Sequence, residues 1–370
     1  MKGCKSIELP TICIPLIGAK YHGGVRIIFK IANHLTSIGL KVILLCPRGA
    51  WSPIYKINSG IEVVLLDARN IFHYLLLLWS YFSTRKHSVF ILSHWLTGFI
   101  YSLSPGVKRK NSIYFVQDSE EVFFKKSTLI GRLLRFFVFW GYRHSSNNFI
   151  VTTIYGERKL RVIVKNLSVC IHRVILGVDK QVFYPDSSAP KKNVVLFFPR
   201  RGWFKDFELL KNVFNCLYFS ESLNCYEFWF VSQETDLFSS FETFDRVKFF
   251  SIKSDDELRT IYNSAKLLIH TSKYEGVCLP ILEALSCGTY VIATNSFGPL
   301  TYLSRSNSRV VNIRSPEEIA NLAISYLQFG EINCKDISDT VKNLSIDNFV
   351  VDFSNIILSF AMKFNKVRSS

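Results

Sequence analysis

Short runs of consecutive apolar residues alternate with amphipathic stretches along this chain, and halfway along the alternation begins again. A strand made only of apolar residues must be covered on both faces, the condition of a parallel sheet between layers of helix. In the first half the apolar runs fall at residues 11–17, 41–46, 61–66, 88–93 and 112–117. Between the first two lie Gly23, Gly24 and an amphipathic stretch over 25–38, closed by Gly39 at a helix C-cap position. In the second half the runs fall at 193–198, 226–232, 246–250, 266–270 and 290–293, with helical patterns over 207–219 and 349–364. Ser254 and Glu257 stand at the spacing of a capping box and mark a further helix start. Residues 184–192 are polar and rich in Pro and Ser, as a linker is. A length of 370 residues suits two domains. The expected division is 1–184, 185–348 and a terminal helix over 349–370. Two such α/β halves imply a cleft between them, with ligands at the C-terminal ends of the strands.

Composition narrows the partners. The formal net charge of +16 favours something anionic: nucleic acid, an acidic membrane surface or a phosphorylated ligand. Zinc-finger spacings, RNA-binding aromatic motifs and basic low-complexity tails are missing from the sequence, which argues against nucleic acid. The nine cysteines form no C-x-x-C pair, are odd in number and sit in apolar runs. They read as reduced thiols of a cytoplasmic protein rather than a disulfide framework or a zinc site. The most apolar stretch, 71–82, is too short to span a bilayer. Lys2 and Lys5 precede an apolar run that Pro10 and Pro15 interrupt, which reads as a buried first strand rather than a signal peptide.

The segment richest in chemical signals runs from Tyr274 to Gly288. Pro280 suits a first helical turn, where its missing N–H is no loss. Glu275 is then expected in the loop before that helix and Glu283 near its start, both facing one pocket. Unpaired N–H groups around Val277, Cys278 and Leu279 suit a diphosphate, and Gly276 lets the backbone come close to it. A basic cluster, Arg200, Arg201 and Lys205, follows the first strand of the second half. Cations there lower the barrier to departure of a negatively charged leaving group. Arg201 and Lys205 are the first candidates, with Arg200 as the alternative to Arg201, and a solvated surface loop as the bland reading.

The spacing from Glu275 to Glu283, with Gly276, Pro280 and the following Ala-Leu-Ser-Cys-Gly, resembles the signature of retaining GT-B glycosyltransferases of the family-4 group. Gly23-Gly24-Val25-Arg26 resembles the glycine loop that approaches the donor phosphates. Residues 175–185 resemble the family's inter-domain segment, with Leu176 in place of the usual Asn, and residues 200–205 resemble its basic loop. Residues 114–118 with 23–29 are similar to rhamnosyltransferase-like members that build surface polysaccharides. The resemblance implies two Rossmann-like domains facing each other across a cleft, the terminal helix crossing back onto the first. It implies a glycosyltransferase that takes a sugar from a UDP-, GDP- or dTDP-sugar, retains configuration, and needs no cofactor. Glu275 would steady the sugar, and Glu283 would contact the nucleotide ribose. Base contacts are expected around Ile252 and Lys253. No D-x-D motif occurs, so no metal is expected. The alternative is an inactive, GT-B-like binding subunit of a glycan-assembly complex.

In the first domain His94 and Asp118 each follow a strand. His94 is a candidate for meeting the acceptor or sugar, against an ordinary structural role. Asp118 is a candidate for orienting the acceptor hydroxyl or taking its proton, against a cap or turn. Gly23 and Gly24 have a tight turn as their bland alternative. Residues 122–143 mix aromatic residues with Lys125, Lys126, Arg132, Arg135 and Arg143. Such a segment suits an anionic leaflet and a lipid-linked acceptor, or else a half-buried helix with snorkelling Arg stems. A protein peripheral to the inner face of the cell membrane is therefore expected.

Overall fold

The computed structural model describes residues 9–19, 23–52, 56–85, 87–165, 167–188, 190–330 and 333–369. Lys2, Cys4, Lys5 and Ala189 lie outside them. The chain forms two compact units, residues 1–175 with 348–370, and residues 176–347.

The first unit is a seven-stranded sheet: β1 (Ile12–Pro15), β2 (Val42–Pro47), β3 (Glu62–Leu66), β4 (Val89–Leu92), β5 (Ser112–Val116), β6 (Asn148–Val151) and β7 (Cys170–Arg173). Its order is β3-β2-β1-β4-β5-β6-β7 and every pair is parallel. The central strands are buried along their whole length, as their apolar runs require. Helices α1 (Gly23–Ser37), α2 (Ile71–Thr84), α3 (Trp95–Leu103), α4 (Leu129–His144) and α5 (Ile154–Ile163) connect them. Gly39 ends α1 with a φ of 89°, the left-handed backbone that glycine adopts without strain.

The second unit is a six-stranded parallel sheet of order β10-β9-β8-β11-β12-β13. Its strands are β8 (Lys192–Phe197), β9 (Glu227–Val231), β10 (Val247–Phe250), β11 (Ala265–His270), β12 (Tyr290–Thr294) and β13 (Ser308–Val311). Its helices are α6 (Phe207–Tyr218), α7 (Asp255–Ser264), α8 (Leu279–Ser286), α9 (Pro316–Phe329) and α10 (Cys334–Asp339). Half of the capping box at α7 is present: Ser254 Oγ accepts from the Glu257 N–H, while Glu257 Oε2 accepts from the N–H of Lys253, one residue before the cap.

Two boundaries differ from expectation. The break between units falls at 175/176, not in the polar segment 184–192. Val178 exchanges backbone hydrogen bonds with Leu344 and Ile346, and the Phe183 carbonyl accepts from Ser286 Oγ, so residues 176–184 are sewn into the second unit. The basic aromatic stretch is not one helix over 122–143. A short 3-10 turn at Glu120–Phe123 precedes α4, whose N-cap Thr128 accepts from the Gly131 N–H. The last helix, α11 (Ile346–Ser369), belongs to the first unit from Asn348 onward, with Phe349 and Phe353 against Phe115 of β5. No helix among the described residues is long and apolar enough to cross a membrane.

Candidate functional site

Each sheet reverses its winding once, between β1 and β4 in the first unit and between β8 and β11 in the second. At such a point the loops leaving two adjacent strands diverge and open a crevice at the carboxyl ends. In the second unit those loops are residues 198–206 and 271–278. Lys205 is on one and Glu275 on the other.

The two loops are tied together by their backbones. The Lys273 N–H donates to the Phe204 carbonyl at 2.7 Å. Asp206, in left-handed backbone (φ 52°), accepts two hydrogen bonds from Arg314, at 3.0 and 2.6 Å, and has Lys273 Nζ at 3.3 Å. Arg314 also donates to the Thr271 and Ser272 carbonyls. A third loop closes over the glutamate: the Glu275 N–H donates to the Ser296 carbonyl at 3.0 Å. Gly298 approaches so near that a Cβ there would lie 1.4 Å from the Gly276 carbonyl oxygen, so only glycine fits.

Within this frame Lys205 Nζ lies 2.7 Å from Glu275 Oε1, and His270 Nε2 lies 3.0 Å from the same oxygen. Glu275 is buried. Burial alone would raise its carboxyl. The Lys205 ammonium, with His270's hydrogen bond and charge, outweighs burial and holds Glu275 well below the usual carboxylate range. It is therefore an ionised carboxylate with a cation seated on it.

The helix that follows begins as expected, with Pro280 in its first turn. Cys278 is its N-cap in left-handed backbone (φ 60°), making no side-chain cap bond. The Tyr302 hydroxyl donates to the Val277 and Cys278 carbonyls and pins this corner. The Cys278 thiol lies 3.4 Å from His270 Nε2. Burial, with the Glu275 charge added, keeps that thiol well above its ordinary value and so protonated. Glu283 is buried on the second turn of α8, and its Oε2 accepts from the Tyr262 hydroxyl at 3.1 Å.

The structure thus joins Lys205, Glu275, Gly276, Val277, Cys278 and Leu279 in one corner, and it separates Arg201. That guanidinium pairs with Glu234 and Asp236, and the Arg201 N–H donates to Glu234 as well. The sequence places those two acids more than thirty residues away from it. The Ile252 carbonyl and Lys253 N–H, expected to meet a base, hold Gln233 and Glu257. His270, Tyr302, Asp206 and Arg314 belong to this corner without forming any motif in the sequence. Only His270 carried a signal, as the last residue of a predicted strand.

In the first unit Gly23 and Gly24 open α1 after β1, while His94 follows β4 and Asp118 follows β5. His94 is the N-cap of α3, with Nδ1 accepting from the Leu96 N–H, and burial depresses it to about 4. At neutral pH it is a neutral ring on cap duty, the bland reading of it. Asp118 Oδ1 accepts from the next residue's N–H and forms a turn. Beside them is a residue the sequence did not announce. Glu120 is buried, with Oε1 accepting from the Trp95 N–H at 2.7 Å and Oε2 from the Tyr114 and Tyr142 hydroxyls at 2.7 and 3.1 Å.

Comparison with known proteins fits this architecture. Sucrose-phosphate synthase from Thermosynechococcus elongatus superposes with a TM-score of 0.77 at 15% identity, over 95% of this chain and 98% of that one. WaaG, a glycosyltransferase involved in lipopolysaccharide biosynthesis, gives 0.73 at 15%, over 94% and 99%. Anabaena Alr3699/HepE in complex with UDP and glucose gives 0.72 at 14%, over 95% and 100%. The fold is that of the GT-B glycosyltransferases. Residues 231–343 match the family model described as glycosyl transferases group 1. That match lies wholly within the second unit. A stretch of 49 residues is 39% identical to O-antigen chain mannosyltransferase B of Escherichia coli, spanning 13% of each protein.

Proposed function

We propose that this protein is a glycosyltransferase that moves a sugar from a nucleoside-diphosphate donor held at the β8–β11 switch point, with the diphosphate between Lys205 and the start of α8. The observation that carries the reading is the Lys205–Glu275 pair, 2.7 Å apart beside a helix N-terminus. The two groups suit the two ends of the bond that breaks. As the sugar leaves, negative charge grows on the phosphate oxygen, where an ammonium and the N-terminal partial charge of a helix are already fixed. Positive charge grows on the sugar, which a carboxylate ionised at any working pH steadies. The donor's phosphate draws Lys205 away from Glu275 and leaves the carboxylate for the sugar. Phosphate charge is met by protein groups, so the reaction needs no metal.

The acceptor is a glycan of a surface polysaccharide or a lipid-linked precursor. The O-antigen and lipopolysaccharide relatives support that class, and the UDP complex of HepE supports a nucleotide-sugar donor. A net charge of +16 and the basic aromatic helix α4 support work at an anionic membrane surface, on its cytoplasmic side.

A thermal-shift screen of UDP, GDP and dTDP tests donor binding. The matching nucleotide raises the melting temperature by mass action, by about 2.7 kcal/mol of stabilisation at a hundred times its dissociation constant. Lys205→Ala abolishes that shift. Glu275→Gln keeps it but loses transfer of a labelled sugar by roughly a hundredfold or more, both variants retaining native circular dichroism. Full transfer activity in either variant sinks the reading.

A further inference from the structure

His270, Glu275 and Cys278 bring together three different kinds of metal-ligating atom, all buried. His270 Nε2, Glu275 Oε1 and Cys278 Sγ lie within 4.8 Å of one another. Two of the separations are 3.0 Å, nitrogen to oxygen, and 3.4 Å, sulfur to nitrogen. A tetrahedral zinc ion with bonds of roughly 2.0–2.3 Å needs its ligand atoms roughly 3.3–3.8 Å apart. The nitrogen–oxygen and sulfur–nitrogen separations lie within a few tenths of an ångström of that span, and the third, oxygen to sulfur, is at most 4.8 Å and would close by up to about an ångström.

The backbone holds the three in place without help from an ion. His270 ends a central strand, the Glu275 N–H is bonded to Ser296, and the Cys278 carbonyl is bonded to Tyr302. Cys278 also sits in left-handed backbone that a residue with a Cβ rarely adopts, and its side chain is directed to His270 rather than used as a helix cap. We infer that His270, Glu275 and Cys278 form a binding site for a soft divalent cation of the zinc class, and that the bound ion switches the enzyme off.

One thiolate, one imidazole and one carboxylate suit zinc or cobalt and not magnesium or calcium, which prefer oxygen ligands. Binding takes up one ion and displaces two protons from the ligand atoms, that of the Cys278 thiol and the one with which His270 Nε2 bonds to Glu275. The ion would claim Glu275 Oε1, the atom that Lys205 now holds, and its charge would repel the Lys205 ammonium. Inhibition therefore rests on the donor-site reading above, whereas ion binding does not.

Cobalt(II) titration of the full chain tests the site. Expected are one equivalent bound per chain, thiolate-to-cobalt charge-transfer absorption in the near ultraviolet, and the visible bands of a tetrahedral ion. Zinc bleaches this spectrum and magnesium leaves it. Cys278→Ser and His270→Gln lose the bands. Cys170→Ser keeps them; it is the needed control, because exposed Cys170 Sγ lies 3.2 Å from His172 Nε2. Should Cys278→Ser fold poorly, Cys278→Gly removes the ligand while suiting the left-handed backbone. No thiolate band in the wild type, or a band that survives loss of Cys278, overturns the proposal. Neither donor nor turnover enters this readout, so its failure is distinct from failure of the transfer reading.

Discussion

Glu120 shows what one buried carboxylate can do to a unit. Burial pushes it up to about 7, even though the two tyrosines and the Trp95 N–H favour its ionised form, and Asp118 raises it further. An acid with a raised folded value binds more protons folded than unfolded, between its ordinary 4.5 and about 7. Stability therefore falls as pH rises through that window and stays at its lower level above it. Each tenfold gain in proton affinity on folding is worth about 1.4 kcal/mol, so the loss is a few kcal/mol in all. Glu120→Gln removes this dependence. Denaturant titrations at intervals across the window should show the wild type losing ground to the variant as pH rises; parallel curves would refute the assignment. Glu275 has the opposite sign. Its lowered carboxyl contributes stability above the ordinary carboxylate range that is lost in acid. At this scale the sequence was legible where spacing carries the information. Glu275 was found from its neighbours in a loop-to-helix segment. The partners of Arg201, Glu234 and Asp236, are not legible there because they reach it only through the fold, and Glu120 is not because burial of an acid leaves no local mark.

At the scale of elements, α4 is the unusual one. Leu129, Ile130, Leu133 and Phe136 are all more than half exposed along its outer side. Lys126, Arg132 and Arg135 line a concave surface with Phe136 and Phe139. A helix that shows water both large apolar groups and cations suits a leaflet with anionic headgroups, each basic residue near the surface adding about 1 kcal/mol. Flotation with vesicles containing anionic lipid should carry the wild type upward and leave Leu133→Asp/Phe136→Asp behind, and zwitterionic vesicles should carry neither. Equal flotation of both proteins on anionic vesicles would reduce α4 to an ordinary surface helix. The long apolar strands of both sheets, β2, β5, β8, β11 and β12 among them, were readable from the sequence because continuous burial writes continuous apolar runs. Strands β6, β7 and β13 were not, being four residues each, with charged or polar residues among them and partial exposure in β7 and β13. Nor does any local pattern tell where strand order reverses, although that reversal sets Lys205 across from Glu275.

For the whole molecule the chain's path matters most, since it leaves the first unit at Ile175 and returns to it at Asn348. The return is anchored by aromatic packing. Phe353 is fully buried, with its ring centroid 5.0 Å from that of Phe115 in an edge-on arrangement. Ser354 adds a hydrogen bond from α11 to His34 of α1 at 3.1 Å. The second unit has an aromatic core of its own around Phe214, Phe228, Phe230 and Phe241. Two cores in one chain make a single unfolding free energy ill-defined and two transitions the natural expectation. Removing a buried Phe from the first core typically costs about 3–5 kcal/mol, which for a unit of this size shifts its transition by roughly ten degrees. Scanning calorimetry of Phe353→Ala should therefore show one transition moved down by that amount. The other, identified as the one that the matching nucleoside diphosphate raises, should stay within a degree or two of its wild-type position. If both moved together, the closing helix would be a shared support of the two cores, and the division into units would hold for geometry but not for energy.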